Sequence, residues 1–192
     1  MSERVKANNI TQASKSRSVT FFKGLTGMIV VIILATVVAC MITMRTEKYT
    51  IPSESMQPGI NTGDTVLVVK GGKGDYKRGD VIVFHSFEGN GEVYIKRIIG
   101  IPGDNVSIQD GRLFINGEER EEDYVKEPWN GWQTVCGKEK GMWFGIQIAD
   151  GEYYVMGDNR MNSMDSRCFG TISRGAIIGK AVMKISPDMK FL

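Results

Sequence analysis

The sequence predicts a mostly-β domain carried behind a single N-terminal membrane-spanning helix. Three observations carry this reading. Residues 24–44 contain no charge, the chain beyond them breaks into short alternating or β-branched runs, and 23 glycines stand against 5 prolines. Glycine at that level supplies the tight turns that many short strands need. A chain of 192 residues holds one domain of ordinary size plus an anchor. With 42% hydrophobic and 24% charged residues it is neither disordered nor fibrous.

The anchor comes first in the chain. Between Lys23 and Arg45 lie 21 uncharged residues, GLTGMIVVIILATVVACMITM. As a helix these span about 30 Å, the thickness of a bilayer's hydrocarbon core. A soluble core helix would be shorter and would carry a polar stripe. The tail 1–23 holds Arg4, Lys6, Lys15, Arg17 and Lys23 against Glu3 alone. A basic flank ahead of the span keeps the N-terminus cytoplasmic and sends residues 45–192 outside. A cleaved secretory signal has an apolar stretch of only ~7–15 residues followed by a small-residue site. No such site follows this longer run. A lipoprotein signal ending at Cys40 is a second alternative, but the apolar run continues past Cys40 to spanning length.

The tail carries +4, so with +2 overall the remainder carries −2. The basic character therefore belongs to the tail, and no nucleic-acid surface is expected on the domain. Cys40, Cys136 and Cys168 are too few for a disulfide scaffold and show no metal-ligand spacing, so neither metal nor cofactor is expected. Cys136 and Cys168 either pair, if the domain is exported, or stay separate thiols.

Residues 46–63 contain Pro52, Pro58, Gly59 and Gly63, which leave no room for a long regular element. Strands are predicted over 64–70, 80–84, 92–100, 105–109, 112–116, 152–156 and 177–185 from their alternating or β-branched runs. Gln109-Asp110-Gly111-Arg112 reads as a tight hairpin, because Asp-Gly tolerates φ > 0. The stretch 117–150, with Trp129, Trp132 and Trp143, shows no clear pattern. Nothing after residue 45 has helical periodicity, and there is no internal repeat.

Three stretches hold groups suited to chemistry. In Ile51-Pro52-Ser53-Glu54-Ser55-Met56-Gln57-Pro58 two serines sit between prolines that exclude helix and present a hydroxyl on a rigid loop. Alone, this is also what an ordinary linker looks like. A serine nucleophile needs a base. The single histidine, His85, stands at a strand end, where a surface position is the simpler reading.

Lys96 and Arg97 lie in the apolar strand Val93–Gly100 and point to opposite sides, so one of them must enter the domain or a cleft. Arginine keeps its charge, whereas a desolvated lysine can lose its proton. At an ordinary pKa of about 10.4, roughly 0.04% of lysine is neutral at pH 7, a penalty of ~4.6 kcal/mol that burial can largely remove. A lysine snorkelling to water is the plainer alternative. The third stretch, Gly157 to Arg167, packs Asp158, Asn159, Arg160, Asn162, Ser163, Asp165, Ser166 and Arg167 behind an apolar strand. It is either a solvated loop or a fixed hydrogen-bonded network of the kind that orients a catalytic group.

Together these stretches resemble bacterial type I signal peptidase, the leader peptidase family of Ser/Lys peptidases. The motifs occur in the family's order: S-E-S-M-x-P at 53–58, G-D-x-V-x-V at 63–68, R-G-D-V-I-V-F at 78–84, Y-I-K-R-I-I-G-I-P-G-D at 94–104 and G-D-N-R-x-N-S-x-D-S-R at 157–167. Five in order are specific where any one is weak. The resemblance implies a β-rich catalytic domain of the signal peptidase type, with Ser55 as nucleophile and Lys96 as general base. It implies Ser53 as an oxyanion partner beside the Ser55 N–H, and Ser163 as the group that orients the lysine. Asp158, Asp165, Arg97 and Arg167 match supporting polar positions. Ile51, Pro52, Val83 and Ile95 match positions around shallow pockets for small side chains.

The implied activity is removal of signal peptides from exported precursors at the cytoplasmic membrane, after small residues at −1 and −3, through an acyl-enzyme. Ser55 follows Arg45 by 10 residues, a link of at most ~35 Å when fully extended, which suits a substrate presented at the membrane surface. Two features depart from the family. Met161 stands where Asp is common, and Gly59-Ile60 where Thr-Leu is common. The chain is also short for the family, which implies a small or absent accessory β-domain. Other classes fit less well. A non-catalytic anchored module would not need both Ser55 and Lys96, and a self-cleaving repressor would need a DNA-binding head that the short tail cannot supply.

Overall fold

A computed structural model of the chain describes residues 28–41, 43, 45–71, 76–86, 91–126, 143–185 and 190–192. It divides into two compact units, Met1–Met44 and Arg45–Leu192. The first is helical over 28–41 (α1), with every described residue exposed. Its hydroxyls bond inward: Thr36 Oγ1 donates to Ile33 O at 2.8 Å and Thr43 Oγ1 to Cys40 O at 2.9 Å. Among the described residues no helix is long and apolar enough to cross a membrane. Residues 24–27, 42 and 44 of the predicted span lie outside the described residues.

The second unit is built almost wholly from antiparallel strands. They are β1 (Thr46–Thr50), β2 (Thr65–Lys70), β3 (Val81–His85), β4 (Val93–Gly100), β5 (Asn105–Gln109), β6 (Arg112–Ile115), β7 (Glu118–Arg120), β8 (Trp143–Gln147), β9 (Glu152–Met156), β10 (Ile172–Ser173), β11 (Ile177–Lys184) and β12 (Lys190–Phe191). An eight-stranded sheet runs β1-β2-β11-β3-β4-β9-β10, with β12 paired to β11. A smaller four-stranded sheet runs β7-β6-β5-β8.

The seven strands read from the sequence are all present, most of them trimmed by a residue at one end. β1 is an addition: TEKYT lacks an apolar alternation because it forms an edge, pairing Thr46 with Val69 through to Thr50 with Thr65. β7, β10 and β12 are too short or too polar to announce themselves, and β8 (WFGIQ) breaks its alternation at Gly145. One helical turn, α2 (Ser166–Phe169), also departs from the expectation of no helix after residue 45. It is nucleated by Asp165, whose side chain accepts from the Arg167 N–H as N-cap. The hairpin between β5 and β6 turns at Asp110 and Gly111, both with positive φ (48° and 77°), as the Asp-Gly pair predicts.

Three apolar clusters fill the unit. One gathers Ile51, Met56, Ile60, Val66, Val68, Val81, Val83, Ile95 and Ala181 beneath the Ser55 loop. A second joins the two sheets through residues such as Ile99, Val106, Ile115, Ile148 and Met156. The third lies under Phe84, Ile98 and Tyr153. Cys168 is disulfide-bonded, Cys40 is free, and Cys136 falls outside the described residues.

Candidate active site

The Ser55 loop is anchored at its base and plugged at its centre. Ile51 N–H donates to Asp64 O and Gly63 N–H to Ile51 O, each at 2.8 Å, which closes the loop across its neck. Met56 and Ile60, 0% and 1% exposed, drive it into the first apolar cluster. Prolines prevent helix on either side, so the hydroxyl of Ser55 has a fixed position. The loop is therefore no linker: Ser55 is 5% exposed.

Lys96 reaches the same point from β4. Its position opposite Ile82 of β3 turns the side chain inward, while Arg97 beside it is only half buried. Lys96 is 4% exposed, and its Nζ lies 2.8 Å from Ser55 Oγ, in hydrogen-bond contact. A second bond from Nζ goes to Ile95 O at 2.9 Å. Ser53 Oγ is 3.3 Å from Ser55 Oγ on the outer side of the pair.

Two carboxylates lie near the lysine, and both are occupied. Asp158 takes a two-pronged contact from Arg97, Nε to Oδ1 at 2.8 Å and Nη2 to Oδ2 at 2.7 Å. Asp165 takes the same kind of contact from Arg167, with both distances 2.8 Å. Such bidentate pairs consume the carboxylate charge that would otherwise hold an ammonium in place. Burial is then free to act on Lys96, and it pushes the pKa from 10.5 down to about 8, with Arg167 assisting and Asp165 and Asp158 opposing.

Gly157 joins this network to Ser55. Its N–H donates to Asp165 Oδ2 at 3.0 Å. A Cβ placed on it would sit 2.2 Å from Ser163 Oγ and 2.5 Å from Ser55 O, so only glycine fits. Ser163 is 1% exposed, and its Oγ makes no hydrogen bond among the described residues. Of the apolar candidates, Ile51, Val83 and Ile95 share one cluster, with Val83 and Ile95 opposed across β3 and β4, whereas Pro52 is exposed.

His85 is exposed at the end of β3. Both family departures fall where they can be absorbed. Met161 is 37% exposed. A Cβ on Gly59 would meet only ordinary contacts, the nearest being Met56 O at 3.8 Å. Among the described residues no cluster of His, Cys, Asp or Glu could hold a metal. The sequence reading gave Arg160 no role of its own and did not name Glu122 or Tyr124; Arg160 donates to Gly157 O, Glu122 pairs with Arg160, and the Tyr124 ring lies against Arg97. Glu122 and Arg160 are 38 residues apart and meet only in the fold.

A family model described as signal peptidase, peptidase S26, matches residues 25–186. Signal peptidase I of Bacillus licheniformis is 32% identical over 179 residues, covering 92% of this chain and 94% of the relative. Signal peptidase I U of Bacillus subtilis is 37% identical over 169 residues, 83% of this chain and 87% of the relative. Signal peptidase IB of Staphylococcus aureus is 36% identical over 153 residues, 74% of this chain and 79% of the relative. With the match extending over most of its length and taking in the serine loop and every strand but β12, this chain belongs to the signal peptidase, peptidase S26, family and is a serine peptidase.

Proposed function

We propose that this peptidase removes N-terminal signal peptides from exported precursors with Ser55 as nucleophile and Lys96 as general base. The observation that carries the reading is the 2.8 Å contact between Lys96 Nζ and Ser55 Oγ in a site where burial depresses the lysine. Neutral Lys96 takes the Ser55 proton as Oγ attacks the scissile carbonyl carbon. The oxyanion accepts from the Ser55 N–H and the Ser53 hydroxyl. The Lys96 ammonium then protonates the leaving amine, and the mature protein departs while the signal peptide stays esterified to Ser55. Water, deprotonated by Lys96, attacks the ester and releases the signal peptide as a carboxylate, restoring Ser55. Asp158, Asp165, Arg97 and Arg167 hold the loop beside the lysine, and the buried Ser163 Oγ, uncommitted among the described residues, is left to orient it. Ile51, Pro52, Val83 and Ile95 line the sites for small −1 and −3 side chains.

In this reading residues 1–23 are a cytoplasmic tail, 24–44 a transmembrane helix and 45–192 the extracytoplasmic peptidase domain. The uncharged run, its basic flank and the inward-bonded hydroxyls of Thr36 and Thr43 support the span. The disulfide at Cys168 agrees with an oxidising compartment.

The test is cleavage of a precursor with Ala at −3 and −1 by the purified full chain. Ser55→Ala should give no product, and Ser53→Ala should retain a remnant, since one oxyanion donor is worth about 10²–10³ in kcat. Equal and modest losses from both changes would mean another nucleophile. Protease added to intact spheroplasts should degrade 45–192; full protection contradicts the topology.

A further inference from the structure

The turn at Gly157 is gripped from both ends. Asp165 accepts its N–H, and Arg160 Nε donates to its carbonyl at 3.0 Å. The next residues reach the nucleophile directly, with Asn159 N–H donating to Ser55 O at 3.0 Å. Arg160 is itself clamped. Its side chain is 1% exposed, and its two terminal nitrogens donate to both oxygens of Glu122, at 2.6 and 2.5 Å, with Glu122 8% exposed. Tyr124 Oη donates to Glu122 Oε1 at 2.6 Å. The Tyr124 ring lies 4.3 Å from the Arg97 guanidinium carbon, and Arg97 is the residue that occupies Asp158.

We propose that Glu122 and Tyr124 are positioning residues for the Ser55–Lys96 pair, fixing the Gly157–Asp158 turn through Arg160 and Arg97. The inference rests on the Ser55–Lys96 reading above and extends it to a segment no part of that reading uses. Glu122 and Tyr124 follow β7, an edge strand of the four-stranded sheet, so this sheet contributes a brace to the centre formed on the other.

The physical reason is that the turn has no slack. Gly157 leaves no room even for a Cβ between itself, Ser163 and the Ser55 carbonyl, so a shift of the turn is passed to the nucleophile. An arginine this deeply buried without its carboxylate is an uncompensated charge, and it leaves the Gly157 carbonyl in search of water. A displacement of about 1 Å at a reacting group costs up to about 100-fold in rate. Loosening also admits water around Lys96, which is faced by Ser55, Tyr94, Asp158, Asp165 and Arg167. Its proton affinity would then climb back toward that of an ordinary lysine.

The experiment compares Glu122→Gln, Glu122→Asp, Tyr124→Phe and Tyr124→Leu in the full chain in detergent, with Lys96→Ala measured beside them. Glu122→Gln should lower kcat by about tenfold or more while KM stays within about twofold, the pattern of lost transition-state stabilisation. The rising limb of its kcat/KM profile should move to higher pH. Glu122→Asp should recover part of both effects. Tyr124→Phe, which keeps the ring on Arg97, should be milder than Tyr124→Leu. Wild-type kcat and pH profile in Glu122→Gln and Tyr124→Leu overturn the proposal, even if the melting temperature falls. So does loss of folding in all four variants, which would make the segment a stability element only. An inactive Lys96→Ala beside an unimpaired Glu122→Gln defeats the brace alone, whereas an active Lys96→Ala removes the lysine base and the brace with it.

Discussion

Lys96 Nζ lies 2.8 Å from Ser55 Oγ although the two residues are 41 positions apart, and both are almost wholly withdrawn from water. A lysine in that position is either an expensive structural charge or a base. The two nearby carboxylates are taken up by Arg97 and Arg167, so burial outweighs them and shifts the lysine toward its neutral form.

The pH dependence follows directly. With the lysine at about 8, roughly a tenth of it is neutral at pH 7, so kcat/KM should rise about tenfold with pH and level off above about 8. A histidine base would level off near 7. Lys96→Arg should be as inactive as Lys96→Ala, since guanidinium does not give up its proton. His85→Ala should keep near-full activity. A pH 6–10 series on one precursor checks all three; a dead His85→Ala beside an active Lys96→Arg contradicts the assignment.

Burial of Lys96 also has a cost in stability, and its sign is fixed. The folded value of about 8 lies below the ordinary 10.5, so between these pH values the unfolded chain binds more protons and stability rises with pH. Below about 8 the whole cost is present, on the order of 3 kcal/mol, less what the lysine's hydrogen bonds return. Lys96→Met, which keeps the stem without the charge, should therefore be more stable than wild type by about 2 kcal/mol at pH 7, with the advantage shrinking toward pH 10.5. Urea unfolding at pH 7 and pH 10 measures it; an equal gap at both would show that the lysine is not desolvated.

Two glycines give a matched pair. Gly157→Ala places a methyl group 2.2 Å from Ser163 Oγ and 2.5 Å from the Ser55 carbonyl. It should cost about 1–3 kcal/mol in stability and about 100-fold in kcat, because the Ser55 backbone must move. Gly59→Ala meets nothing closer than 3.8 Å and should be near wild type in both. Melting curves and single-turnover rates on the two variants decide it. Equal effects would mean that the 157 turn does not locate Ser55.

Specificity should reflect the apolar cluster beneath the serine. Ile51, Val83 and Ile95 are 2%, 1% and 5% exposed, which leaves little volume for an incoming side chain. A precursor with Leu at −1 should be cut at least about 100-fold less efficiently than one with Ala, and Ile95→Ala should narrow that gap. Competition between the two precursors in one reaction gives the ratio directly. Equal use of Leu and Ala by the wild type would place the pocket elsewhere.

The sequence by itself determined seven of the strands and the hairpin at Asp110-Gly111, and it marked Ser55 and Lys96 as candidates, because period-two alternation, turn chemistry and ordered motifs are local properties. Alternation also required that either Lys96 or Arg97 point inward. Which of them does so was decided by pairing, since the register of β3 against β4 sets which face each side chain takes. The polar loop 157–167 was legible as a network or as a solvated turn, and only the fold chose. It matched Asp158 with Arg97, folded Arg167 back on Asp165 and brought Glu122 across 38 residues to Arg160. Such pairs carry no sequence period, so they become visible only when separate elements are packed together. The depressed lysine has the same origin. Desolvation is a property of what surrounds a group, and no local pattern along the chain encodes it.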